Sequence, residues 1–171
     1  MVADTKKEVE RKLIICDIDK CNGCGLCEFY CAISKEKKIN PKLSRIRTVR
    51  IEPFFAMSIA CRKCETPVCK DACPRDAISI GEDGIPIVDK DKCNGCGWCI
   101  EACDFGAIRF NFGTKVVTAC DYCKGEKEPW CIKYCPKKAL TCETLEAAGA
   151  ELSKRVFVRI LGELEEFAKK T

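Results

Sequence analysis

Apolar and polar positions along this chain change over in short bursts, and the bursts predict small elements rather than long ones. Residues 12–17 (K-L-I-I-C-D) form a β-rich apolar run, read as a strand. Residues 44–52 (S-R-I-R-T-V-R-I-E) alternate basic with apolar side chains, the pattern of a half-buried strand, and residues 54–60 are a second apolar stretch. Asn40-Pro41 marks a turn before them. Residues 77–80, 81–84 and 85–88 read as strand, turn and strand, with Asp83-Gly84 as the turn signal. Residues 108–112, 113–114 and 115–118 repeat that hairpin, and residues 139–142 are the counterpart of 77–80. Between these bursts lie cysteine-rich loops, so the predicted unit is a loop plus a short hairpin, repeated four times.

The last stretch, about 144–170, has a different period. Val156, Phe157, Ile160, Leu161, Leu164, Phe167 and Ala168 recur at helical spacing, while Arg159–Glu163, Glu165–Lys169 and Glu166–Lys170 make i,i+4 pairs elsewhere on the surface. This predicts an amphipathic helix. Its apolar face is expected to pack on the chain's own core, with docking to a partner subunit as the alternative. Residues 1–11 are charged and read as a frayed end.

Cysteine changes the picture most, with 18 among 171 residues. The start of the chain shows no apolar signal segment, cleavage site or twin arginine, so a reducing cytoplasm is expected, where dense cysteine means metal rather than disulfides. No apolar run approaches the roughly 20 residues of a membrane span. Sixteen cysteines fall in four runs: Cys21, Cys24, Cys27, Cys31; Cys61, Cys64, Cys69, Cys73; Cys93, Cys96, Cys99, Cys103; and Cys120, Cys123, Cys131, Cys135. A cubane needs four thiolates around one small object, three from a loop that curls round it and a fourth from a distant run. Gly23, Gly25, Gly95 and Gly97 let the backbone turn tightly and approach the sulfurs. Paired C-x2-C units suit zinc as well, but a third cysteine two residues on, present in runs one and three, is rare in zinc sites.

Runs two and three, with only the 19 residues 74–92 between them, form one ferredoxin unit in which the fourth cysteine of each run serves the other's cluster. Runs one and four then pair by elimination. The expected ligand sets are Cys21, Cys24, Cys27 and Cys135 for cluster one; Cys61, Cys64, Cys69 and Cys103 for cluster two; Cys93, Cys96, Cys99 and Cys73 for cluster three; and Cys120, Cys123, Cys131 and Cys31 for cluster four. Sequential pairing, run one with two and three with four, is the alternative. The expected fold is α+β: tandem bacterial-type two-cluster ferredoxin folds with pseudo-twofold repeats, plus the C-terminal helix. Its parts are an outer unit (12–31 and 104–142), an insertion (32–60), an inner unit (61–103) and the helix (143–171).

Run two widens to C-x2-C-x4-C and run four to C-x2-C-x7-C, loops suited to shielding a cluster or marking a docking face. Trp98 and Trp130 beside ligands read as packing residues rather than electron relays. Cys16 and Cys142 are left over as buried small apolar residues. All four sets are complete, so no iron is left open for substrate, and no catalytic residue is expected.

The formal charge of +4 counts cysteine as neutral. Four cubanes at about −2 each remove about 8, leaving the loaded chain near −4, which argues against a nucleic-acid partner. The run Lys35-Glu36-Lys37-Lys38 then reads as a solvated loop. There is no histidine and no glutamine, a thermophile-like bias beside abundant Glu and Lys.

Four such runs, widened in the second and fourth, resemble the four-cluster ferredoxin-like subunits of molybdenum, tungsten and nickel oxidoreductases: dimethyl sulfoxide reductase, formate dehydrogenase, hydrogenase and carbon monoxide dehydrogenase. The resemblance covers about residues 13–140. Within the group, N-P-K-L-S-R-I-R at residues 40–47 and C-R-K-C-E at 61–65 are most similar to small subunits of tungsten aldehyde oxidoreductases. The resemblance implies four 4Fe–4S clusters spaced as a line between a partner's active site and another redox subunit or carrier, in an anaerobe. The competing readings are a free-standing polyferredoxin and a zinc-stabilised interaction module.

Overall fold

The computed structural model describes residues 11–170, with side chains through Glu163. The frayed end expected over residues 1–11 lies outside this range except for Arg11. So do the side chains of Leu164, Phe167 and Ala168 and the pairs Glu165–Lys169 and Glu166–Lys170.

Every strand is short and lies in a two-stranded antiparallel sheet. β1 (Leu13–Cys16) pairs with β8 (Leu140–Glu143), β2 (Arg47–Ile51) with β3 (Phe55–Ile59), β4 (Ile78–Ile80) with β5 (Pro86–Val88), and β6 (Arg109–Asn111) with β7 (Val116–Thr118). Three of these are hairpins. The fourth is not: it joins the two ends of the cysteine-rich region, with Leu13 opposite Glu143 and Cys16 opposite Leu140. The expected unit of loop plus hairpin therefore occurs three times, and the strand after run four finds its partner ahead of run one.

The helices repeat more faithfully than the sheets. The third cysteine of each run is the second residue of a helix: Cys27 in α1 (Leu26–Glu36), Cys69 in α2 (Val68–Asp71), Cys99 in α3 (Trp98–Glu101) and Cys131 in α4 (Trp130–Lys133). What precedes the helix tracks the width of the loop. The narrow runs enter through Gly25 at φ 75° and Gly97 at φ 89°, conformations costly for any residue with a Cβ. The wide runs enter through Pro67 at φ −80° and Pro129 at φ −58°, and need extra residues to bring the backbone round.

α1 packs against α4, and α2 against α3. Two small cores result. One gathers Ile14, Cys27, Cys31, Ile46, Cys120, Cys131 and Leu140; the other gathers Ile78, Cys99, Ile108, Val117 and Ala119. A chain with so much cysteine in its cores buries few large aliphatic side chains.

Several expectations need correction. α1 runs through the residue 31/32 boundary to Glu36, because no breaker follows Cys31, and ends at Lys37 in the left-handed region. Lys35 therefore lies on a helix with its side chain only 13% exposed, its Nζ 2.9 Å from Asp121 Oδ2, and is not part of a solvated loop; Lys37 and Lys38 are exposed. The strand expected from Ser44 starts at Arg47. Ser44 and Ile46 are instead fully buried, held by a local turn in which Ser44 Oγ donates to Ile46 O at 2.7 Å and accepts from Ile46 N at 3.1 Å.

α5 (Leu145–Lys170) forms as the periodicity predicts, but not with the expected packing. Leu152, Val156, Phe157, Ile160 and Leu161 are all exposed, Phe157 to 61%. Arg155 ties the helix to the body through ion pairs with Asp17 and, at 3.3 Å, Asp19. Burial works to raise the Asp17 carboxyl, and hydrogen bonds from Lys20 and Arg155 outweigh it to hold the group below its ordinary range.

Candidate functional site

The four cysteine-rich loops bring their sulfurs together across runs. A cleft with about 300 Å³ of empty space, open to solvent, is lined by Cys93, Cys96, Cys99 and Cys73. A second, of about 320 Å³, is lined by Cys21, Cys24, Cys27 and Cys135. Cys69, in α2, is pushed up to about 11, first by burial and then by the charges of Cys61, Cys103 and Cys64 close by. Cys131, in α4, is pushed up by burial and then by Cys120, Cys31 and Cys123. Cys31, Cys120, Cys123 and Cys131 are all buried, whereas Cys24, Cys64 and Cys96 are exposed.

The gatherings also neighbour one another. Cys131 feels Cys27 of the first set, and Cys120 feels Cys61 of the second. Tyr122 stands at the second of these seams: its hydroxyl donates to Cys61 O and its amide to the Cys120 sulfur. Burial, then the charges of Cys120 and Cys61, push its phenol upward.

Backbone amides are aimed at the sulfurs. Ala77 N–H donates to Cys73 Sγ at 3.3 Å, Ala107 to Cys103 Sγ at 3.4 Å and Ala139 to Cys135 Sγ at 3.3 Å. In each case the residue before the alanine sits at positive φ (Asp76 47°, Gly106 57°, Lys138 48°), which swings the next N–H onto the sulfur. The alanines are buried at 2%, 4% and 2%. Run one has no such turn, because α1 continues; the amide for Cys31 comes from Arg45, at 3.2 Å. Hydroxyls join in at Cys27, whose Sγ lies 3.3 Å from both Thr48 Oγ1 and Ser58 Oγ.

These sulfurs have a chemical demand. Burial and mutual repulsion push Cys99 up to about 11 and Cys120 up to about 12, so four closely held thiolates need a strongly positive centre among them. Among the described residues no three Cys, Asp or Glu side chains close on one point as a single ion requires. The sulfurs of the first and third sets line open clefts, room that suits a multi-iron cluster. Arg45 Nε, on the residue whose amide serves Cys31, is a buried donor without a partner among the described residues, as befits the neighbourhood of an additional acceptor. The donor set of thiolates, converging amides and hydroxyls fits a cubane.

The left-over cysteines differ in their surroundings. Cys16 is half-buried beside Cys21 and Cys27, accepts from Ser58 N at 3.3 Å, and is pushed up to about 12, chiefly by burial. Cys142 is half-buried; burial raises it while Lys63 and Lys12 pull it down. Trp130 packs as expected, 5.5 Å from Tyr134, which stacks on Tyr30 at 4.3 Å. Trp98 does not pack; it is 65% exposed beside Cys99.

Sequence reasoning missed Thr48, Ser58, Arg45, Lys63 and Tyr122. A signal existed only for the alanines: in runs two to four an Ala-Ile or Ala-Leu step begins four residues after the last cysteine.

Sulfur gatherings on short helices, enclosed by small antiparallel sheets, define a ferredoxin-type iron–sulfur protein. This protein belongs to the 4Fe–4S dicluster family, whose model matches residues 53–145, runs two to four. It is 38% identical over 127 residues to the polyferredoxin-like subunit of the aliphatic sulfonate oxidoreductase of Pyrococcus furiosus, covering 74% of this chain and 72% of that protein. It is 34% identical over 143 residues to the B subunit of the anaerobic dimethyl sulfoxide reductase of Escherichia coli, covering 72% and 69%. An uncharacterized ferredoxin of Methanocaldococcus jannaschii is 38% identical over 157 residues, covering 89% and 94%. Among the described residues no helix is long and apolar enough to cross a membrane.

Proposed function

We propose that this chain is a non-catalytic electron-transfer subunit holding four 4Fe–4S clusters on its sixteen run cysteines, in the ligand sets given above, within tandem two-cluster ferredoxin units. The observation that carries this reading is the meeting of each set's four sulfurs across runs, two of them around open clefts. When bound, a 4Fe–4S cluster supplies one-electron redox chemistry. The chain's own residues hold the thiolates, aim amides at them and space the four gatherings. The contacts between neighbouring sets give the order one, four, two, three: Cys131 beside Cys27, Cys120 beside Cys61, and α2 packed on α3. Cys24 at one end and Cys96 at the other are exposed, and so is Cys64 of the second set, so the line meets solvent at both ends and at one point between.

The catalytic partner is an oxidoreductase, as in the named complexes of two relatives. The favoured partner is a tungsten or molybdenum aldehyde-oxidising enzyme, from the residue 40–47 and 61–65 resemblance. The exposed apolar face of α5 speaks for a docked subunit and against a freely diffusing carrier.

The test is elemental analysis of the native complex, purified without oxygen. About 16 iron per copy of this chain, beyond any partner's own, is expected. Tungsten or molybdenum in the complex supports the favoured partner, nickel points to hydrogenase or carbon monoxide dehydrogenase, and iron alone to a free carrier. Zinc with little iron overturns the reading.

A second expectation concerns Thr48 and Ser58. Hydroxyls donating to Cys27 stabilise the sulfur when charge builds on the cluster, so Thr48→Val with Ser58→Ala should lower the cluster-one potential at unchanged iron content. A redox titration followed by electron paramagnetic resonance reads this directly; an unchanged set of potentials would show the hydroxyls to be packing alone.

A further inference from the structure

Among the described residues Lys63 is the only buried lysine, 9% exposed, and it stands at the seam between the second and fourth sulfur gatherings. Its ammonium lies 3.9 Å from the centroid of the Tyr122 ring, the residue that links Cys61 O to the Cys120 sulfur. Its amide donates to the Cys61 sulfur, and its charge acts on Cys61 and on the left-over Cys142. Gly84 faces its stem, and Arg11 donates to its carbonyl at 3.4 Å, so the side chain is held from several directions.

An ammonium on so enclosed a stem is drawn to an opposite charge. Among the described residues no carboxylate pairs with it: Glu65 bonds Arg11 at 3.5 Å and Asp83 bonds Lys124 at 3.1 Å. The ring of Tyr122 supplies only its quadrupole, a weaker attraction than an ion pair. Its charge acts on Cys61 of the second set, and the ring it covers belongs to Tyr122, whose amide meets Cys120 of the fourth.

We propose that Lys63 is the built-in counter-cation of clusters two and four, raising the potentials of both and making the middle of the chain the favoured resting place for an electron. This rests on the cluster reading above. A fixed positive charge stabilises the reduced, more negative form of a cluster more than the oxidised form, so it shifts reduction upward at both neighbours. Cysteine sets one and three lack this neighbour and keep their potentials. Lys63 acts here as a positioning charge and touches no substrate.

The test is a redox titration of the anaerobic holoprotein by electron paramagnetic resonance, with iron counted first. Iron near zero in the unsubstituted protein would sink the cluster reading itself; about 16 iron leaves that reading standing and puts Lys63 alone on trial. In Lys63→Met, two of the four potentials should fall, each by about tenfold in the reduction equilibrium, ~59 mV for one electron. Lys63→Arg should leave all four in place. Four unchanged potentials in Lys63→Met overturn the proposal. If Lys63→Met loses iron, Lys63→Gln is titrated in its place. Iron lost from both neutral variants but retained with arginine supports the need for charge. Iron lost with arginine too shows that the shape of the side chain matters, and overturns it.

Discussion

If the chain holds four clusters as proposed, Cys120→Ser should lower iron from about 16 to about 12 per chain, because one of the proposed ligand sets is broken. Cys120 is 7% exposed, its thiol is pushed up to about 12 by burial and by nearby charges, and it sits against both Cys31 and Cys61. A serine hydroxyl there offers a poor ligand and leaves a buried polar group without its partner. In the order given by the sulfur contacts, the broken set lies between the first set and the second, so electrons entering at one end no longer reach the other. Reduction of an external acceptor by the whole complex should collapse, while dye reduction at the catalytic partner's own centre continues. Cys16→Ser is the control. Cys16 is also raised to about 12 and lies beside Cys21 and Cys27, yet it belongs to no set, and iron should stay near 16. Iron lost in Cys16→Ser and kept in Cys120→Ser would reverse the ligand assignment. Spectra of Cys31→Ser separate cross-pairing of the outer runs from sequential pairing: the first predicts the same lost signal as in Cys120→Ser, the second a loss from the set of Cys61, Cys64 and Cys69.

Gly95→Ala should cost about 2–5 kcal/mol, from about 1–2 for a Cβ in the left-handed region and about 1–3 for overpacking. Gly95 has φ 71°, and a Cβ there would meet Lys115 O at 2.5 Å and the Phe110 ring at 2.7 Å. Lys115 follows the turn that Asn111 closes with bonds to Gly113 N at 2.9 Å and Thr114 N at 3.2 Å, so the obstructing carbonyl belongs to a fixed hairpin. The loop would move away from that hairpin and carry Cys93 and Cys96 out of register with Cys73. Gly97→Ala provides the contrast. Its φ is 89°, but nothing lies within 4 Å of the added Cβ, so only the backbone cost of about 1–2 kcal/mol applies. Anaerobic thermal melts with iron counted before and after should show Gly95→Ala the less stable and poorer in iron. Equal losses in the two variants would mean that backbone strain, rather than the approach of the hairpin, decides the site.

The pattern of the chain carried its local geometry well. Spacing alone marked sixteen cysteines in four loops, since the curl of a loop is a property of consecutive residues. The turn at Asp83-Gly84 and the hairpin over residues 108–118 were legible for the same reason: strand alternation and turn chemistry are both short-range. The helical period over 144–170 was equally legible, and α5 formed where it was expected.

Other features needed the folded chain. The hydroxyls on Cys27 come from residues 21 and 31 positions away, and nothing about Thr48 or Ser58 in isolation distinguishes them from surface residues. Lys35 and Lys63 look alike in sequence, each among other charged residues; one meets Asp121 and the other meets an aromatic ring and a sulfur seam. The apolar stripe of α5 specified a helix without specifying what covers it. Periodicity records which side chains share a face, whereas burial depends on what the rest of the fold brings against that face.

The sequence by itself determined the chemistry of this protein: dense thiolates at cluster-loop spacing, glycines or wider loops before each third cysteine, and a dicluster ferredoxin family. The tertiary structure alone decided the neighbourhoods. It joined β1 to β8 across almost the whole chain, closed α1 on α4, and set the Lys63 ammonium beside Tyr122. The physical reason is range. Spacing fixes φ, ψ and loop curvature over a few residues, but the contacts that bring remote sulfurs and charges together are fixed only when the whole molecule closes its two small cores.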